Sequence, residues 1–265
     1  MENFANVVKH FDAIGARLVI QQETRRVPRV FRNELQFGQR SYDLNISTRG
    51  KQEHFVLSVT PETPAMHVLQ ANKLIRHLLL HVEGEKGGER FLCGHDERHW
   101  FAAAVEGRVS SITDAKRALL PTAMRGLGLT PDQLARRHTD AFRRQGEWFF
   151  IPTNRIFVES LTLKIHHGEP LTRGRGKPHI AGELVRFGGQ PVILWQGKEY
   201  EPEVFEKMRA VEPNKYYRAQ PMIKDPEVYV RGSIRHPDHA TLVLDIWHRV
   251  YPNNEARSKN LSFYD

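Results

Sequence analysis

The sequence predicts an α+β fold, with two mostly antiparallel β-rich portions around a central helical pair. Three observations carry that expectation. Short runs rich in β-branched, leucine and aromatic residues recur on both sides of the middle of the chain, punctuated by glycine turns. Two helix-start signals stand close together, at Ser111 and Thr130. The 265 residues are 40% apolar and 26% charged, ordinary globular composition for one large domain or two small ones. The expected division is 1–110, a β-rich portion with a leading helix; 111–146, a helical segment; and 147–265, a second α+β portion.

Taken in order, residues 3–16 place Phe4, Val7, Val8, Phe11 and Ile14 at helical spacing, ahead of a short strand at 18–21. Residues 42–47 and 54–60 are β-prone runs separated by Arg49-Gly50-Lys51, a hairpin signal. Further strands are expected at 67–70, 77–82, 91–93 and 100–105. Ser111 with Asp114 marks one helix start. Thr130-Pro131-Asp132-Gln133 combines an N-cap threonine, a proline at the first helical position and a capping-box glutamine. That helix is expected to run to Gln145 and stop at Gly146, with Leu134, Ala141 and Phe142 on one side and Arg136, Arg137, Arg143 and Arg144 elsewhere on its surface. Strands at 147–152 and 156–165, a polar loop at 166–179, a strand at 192–195 and a helix at 203–210 follow. Two last strands, 227–234 and 241–244, are joined by Arg235-His236-Pro237-Asp238-His239.

The net charge of +8 and pI near 9.7 favour a polyanionic partner, because the field of many cations adds along a phosphate backbone. The excess is concentrated: between Lys116 and Lys177 there are twelve Lys/Arg against five Asp/Glu. The expected partner is therefore nucleic acid, DNA or RNA, with other protein subunits as an alternative. The contacts would come from Arg136, Arg137, Arg143 and Arg144, from the Gly/Arg run Arg173-Gly174-Arg175-Gly176-Lys177, and from the cluster Arg25, Arg26, Arg29 and Arg32. The run is no P-loop, since its glycines are two apart and Pro178 follows the lysine. Trp148, Phe149, Phe150, Phe157, Tyr216 and Tyr217 interleave with this base, and a strand such as Trp148-Phe149-Phe150 must turn at least one ring into a core. One cysteine, no secretory pattern at the N-terminus and no apolar run near 20 residues lead to an expectation of a reducing, cytoplasmic setting without a membrane span.

Fourteen histidines offer the alternative of an enzyme. Cys93-x-His95 with His99 supplies sulfur and nitrogen donors, but not the four paired ligands of structural zinc. His166-His167 and His179 bracket the basic loop, where an imidazole could serve general acid–base work on a phosphodiester. His236, Asp238 and His239, with His248 downstream, form the group best suited to chemistry. With Asn253-Asn254 it resembles, over fewer than twenty residues, the His-Me finger nucleases, in which histidine activates water, asparagine orients it and a metal holds the phosphate. No counterpart of that family's final helical ligand follows Asn254. His239-Ala240-Thr241 is similar to half of the His-x-Thr signature of the two-histidine phosphoesterases, and the second half is missing. The plainer reading is a tight β-turn with Pro237 at its second position. No cofactor is expected, and a divalent metal only with the nuclease alternative.

Overall fold

The computed structural model describes residues 4–23, 27–28, 39–50, 52–153, 163–172 and 177–255. Arg25, Arg26, Arg29, Arg32, Phe157, Arg173 and Arg175 lie outside the described residues. The chain is mostly β, with 51% strand and 18% helix among the described residues, which overturns the expected α+β arrangement around a helical pair. It divides into two compact units: residues 1–29, 37–149 and 252–259 form the first, and 30–36, 150–251 and 260–265 the second.

In the first unit, α1 (Ala5–Ala13) turns Val7 and Phe11 inward. β1 (Leu18–Gln22) pairs in parallel with β5 (Gln52–Val59), which forms the expected hairpin with β4 (Tyr42–Arg49) around Gly50 at φ +67°. Only a residue without Cβ adopts that angle without strain. A two-residue pair, β2 (Val27–Pro28) with β3 (Gln39–Arg40), stands apart from these sheets. An antiparallel meander follows: β6 (Met66–Asn72), β7 (His77–Val82), β8 (Glu89–Asp96) and β9 (His99–Val105). The continuous apolar run Leu78-Leu79-Leu80 of β7 is explained by cover on both faces. Leu78 and Leu80 point into the core shared with α1, β1, β4 and β5, whereas Leu79 joins Leu92, Ala103, Ile112 and Ala115 under α2 (Ile112–Ala118).

The helical pair shrinks to α2 and the five-residue α3 (Pro131–Ala135). Both starts are as expected: Ser111 Oγ accepts from Asp114 N–H at 3.0 Å, and Thr130 and Gln133 form the reciprocal capping box. α3 stops because nothing apolar follows Ala135 until Ala141, so no buried stripe offsets the cost of continuing a short helix. Thr139 Oγ1 then accepts from the N–H groups of Ala141 and Phe142, both at 3.2 Å, and the chain enters β10 (Arg143–Gln145), a strand where helix was expected.

In the second unit, β12 (His166–Leu171), β13 (His179–Phe187), β17 (Glu227–His236) and β18 (His239–Pro252) pair antiparallel in that order, and β11 (Trp148–Pro152), which enters this unit at Phe150, adds beside β18. β12 falls where a loop was expected; Gly168 and Pro170 are tolerated because, among the described residues, the strand is at an edge. Residues 163–165 of the expected 156–165 strand are not in a strand, and 156–162 lie outside the described residues. β14 (Gln190–Trp195) lies between β15 (Lys198–Tyr200) and β16 (Gln220–Lys224), and α4 (Pro202–Val211) buries Phe205 among Tyr200 and Tyr216. Among the described residues no helix is long and apolar enough to cross a membrane.

Candidate functional site

The hairpin from β17 to β18 is tighter than the sequence suggests. Strand pairing runs to His236↔His239, leaving Pro237-Asp238 as the two-residue turn. Proline's fixed φ suits the second turn position. A bulge between Ile234 and His236 adds one residue on β18, which lets strands joined by an unprimed turn keep their pairing. β13 begins beside the end of β17, with Ile180 opposite Arg235, so His179 falls next to His236. Three neighbouring strands thus deliver one histidine each to the same end of the sheet.

The ligand-capable atoms of His179, His236 and His239 lie within 4.8 Å of one another. The rings stand nearly parallel: His179 and His236 at 4.2 Å and 26°, His236 and His239 at 4.7 Å and 33°, His179 and His239 at 5.7 Å and 24°. His179 is 1% exposed, while the other two are half-buried. Burial, reinforced by the two neighbouring imidazoles, lowers the His179 pKa to about 3. His236 is lowered too, by burial first and by His239 second, with Asp238 opposing. Neutral imidazole, the form that ligates metals, is therefore the resting state of both groups.

Around this cluster, Lys177 Nζ donates to both oxygens of Asp238, at 2.7 and 2.8 Å. The Asp238 N–H donates to His236 Nδ1 at 3.1 Å, and His236 Nε2 is 3.3 Å from the Lys177 carbonyl. Nitrogens bound to tetrahedral zinc at about 2.0–2.1 Å would be about 3.3 Å apart. Ligation therefore requires the stacked rings to rotate and His236 to exchange one of these hydrogen bonds for the metal.

Of the residues singled out in the sequence, His236 and His239 converge, Asp238 lies in the turn between them with its carboxylate on Lys177, and His248 does not join them. It sits nine residues along β18, about 30 Å at strand rise, opposite Val230, buried, with Nδ1 at 2.7 Å from the Ile246 carbonyl. Asn254 Nδ2 donates to the Leu120 carbonyl at 2.7 Å, so the resemblance to His-Me finger nucleases loses both downstream members. His166 and His167 pair with Leu184 and Glu183, several positions along β13 from His179. Cys93 is fully buried, with its thiol pKa pushed up by burial, while His95 packs edge-on against Trp100 and His99 meets Glu53 at 2.5 Å. Their donors do not converge. In the sequence His179 closes the basic loop, where an imidazole could serve acid–base work; its place beside His236 and His239 depends on strand order, which the sequence does not spell out.

The expected basic helix face is corrected as well. Arg137 is paired with Asp96 and Glu97, and Arg144 Nη2 meets Asp96 at 3.0 Å. Arg143 donates to the Thr139 carbonyl, and Arg136 is exposed. Trp148, Phe149, Phe150 and Tyr216 are buried, leaving Tyr217, 75% exposed, as the one described ring of that group open to stacking. A scan against family models finds no match, and no curated protein or solved structure is significantly similar to the chain.

Proposed function

We propose that the protein binds a divalent transition-metal ion through His179, His236 and His239. The observation that carries this reading is the convergence of three imidazoles from three adjacent strand ends, their ligand-capable atoms within 4.8 Å of one another. Imidazole donors suit zinc, copper, nickel or cobalt rather than magnesium or calcium, which prefer oxygen. Untagged protein titrated with zinc in a calorimeter at pH 7.5 is expected to take up one equivalent, and cobalt in its place to give a visible ligand-field spectrum. His239→Ala should weaken binding ten-fold or more. Failure of the wild-type chain to bind either ion would end this reading.

A second reading, binding of nucleic acid, is favoured by the concentration of twelve Lys/Arg against five Asp/Glu between Lys116 and Lys177. With Arg137 and Arg144 engaged by Asp96, it rests on Arg136 and Arg143, on the sequence-adjacent Arg173 and Arg175, and on Lys177, whose exposed ammonium a phosphate would share with Asp238. Counterion release then requires affinity for a labelled oligonucleotide to fall steeply with salt. Replacing Arg173, Arg175 and Lys177 together by alanine should weaken it without lowering thermal stability. Affinity indifferent to salt, or unchanged in the triple variant, would count against polyanion binding by this segment.

A further inference from the structure

Resting on the metal-binding reading, we propose that the three-histidine site keeps a fourth, water-bearing coordination position and hydrolyses phosphate diesters. The ligand count is the first support. Asp238 is the carboxylate in the turn between the two hairpin histidines, but it stands outside the convergent group, and Lys177 holds both of its oxygens. Structural zinc is closed by four protein ligands, whereas three protein ligands with an open position is the catalytic pattern. Exposure agrees with the count: His179 is buried, and His236 and His239 are only half-buried, so the cluster is covered on one side and faces solvent on the other.

Ligand type is the second support. Three neutral imidazoles leave the full double charge on the ion, which draws the pKa of a bound water toward about 7 and attracts anions. Lys177 fixes the substrate class. Its side chain is 59% exposed, its ammonium is tied to Asp238, and its carbonyl meets His236. A cation is thereby held against the turn that carries two of the ligands. A phosphate diester presents two non-bridging oxygens, one for the ion and one for this ammonium, whereas a neutral carboxylic ester would gain nothing from Lys177. In the reaction the bound water loses a proton to solvent and its oxygen bonds to phosphorus. One P–O ester bond breaks, and the departing oxygen takes a proton from solvent. Diester and water become monoester and alcohol, with no change of oxidation state.

The test uses the untagged full chain loaded with one equivalent of zinc or manganese, metal content being measured directly. The probes are bis(p-nitrophenyl) phosphate, p-nitrophenyl acetate and a labelled single-stranded oligonucleotide. Diester cleavage at least a hundred-fold above the same concentration of free ion is expected, abolished by chelator and by His239→Ala. Lys177→Ala, assayed at saturating metal, should raise KM for the diester several-fold. A chain that binds metal stoichiometrically but cleaves neither the diester nor the oligonucleotide faster than free ion overturns the hydrolytic proposal and leaves metal binding standing. Cleavage of the acetate ester alone overturns the substrate class, and absence of metal uptake overturns both readings. Chelator reversal on the wild-type chain keeps the test decisive if His239→Ala fails to fold.

Discussion

Between pH 6.5 and pH 4 the metal-free protein is expected to lose stability steeply, and the loss traces to two imidazoles, the buried His179 and the half-buried His77. His179 is lowered from 6.5 to about 3, by burial first and then by its histidine neighbours. His77 is lowered to about 4, by burial first and then by Lys116. In the unfolded chain both take up protons near 6.5, and in the folded chain neither does until the pH is far lower. Within that window the unfolded state binds more protons, so stability falls as pH falls, by up to about 1.4 kcal/mol per pH unit for each group. Chemical denaturation at pH 7, 6, 5 and 4 measures this slope. His179→Gln and His77→Gln should each flatten it; profiles parallel to wild type would mean that carboxylates, not these imidazoles, set the acid limit. Bound zinc should raise stability at pH 7 by about 2.7 kcal/mol at a hundred times Kd, and that increment should vanish at acid pH as the ligands protonate.

Phe55→Ala is expected to cost about 3–5 kcal/mol, enough to unfold most of the first unit. Phe55 is fully buried and meets Phe11 edge-on at 4.9 Å and Trp100 at 5.6 Å, so truncation empties the point where α1, β5 and β9 converge. These are elements of one unit with separate sequence origins, and the hole cannot be closed by moving any one of them. Urea denaturation followed by Trp100 fluorescence measures the cost. Phe187→Ala is the comparison: that ring is 41% exposed at a strand end, and the change should stay within about 0.5 kcal/mol. Equal losses in the two variants would show that the first unit does not depend on this core.

Features that depend on near neighbours can be read directly from the residues. α1, the Gly50 hairpin, the meander strands and both helix caps were legible because apolar period, glycine φ and side-chain capping act within a few residues. The Pro237-Asp238 turn was legible for the same reason. What the sequence could not decide was how far α3 extends, since its continuation depended on burying a face that only tertiary packing could supply or withhold. Trp148-Phe149-Phe150 showed that rings must go inward, not which core receives them. The arginines of 136–144 looked like a cationic face because formal charge counts every guanidinium; Asp96 and Glu97, some forty residues earlier, pair with Arg137, and Asp96 also takes Arg144. The candidate site follows the same division. His236 and His239 are three residues apart and were found together, whereas His179 is more than fifty residues away in sequence. It joins them because β13 pairs antiparallel with β17, and strand order is set by long-range pairing that leaves no local mark on the residues it brings together.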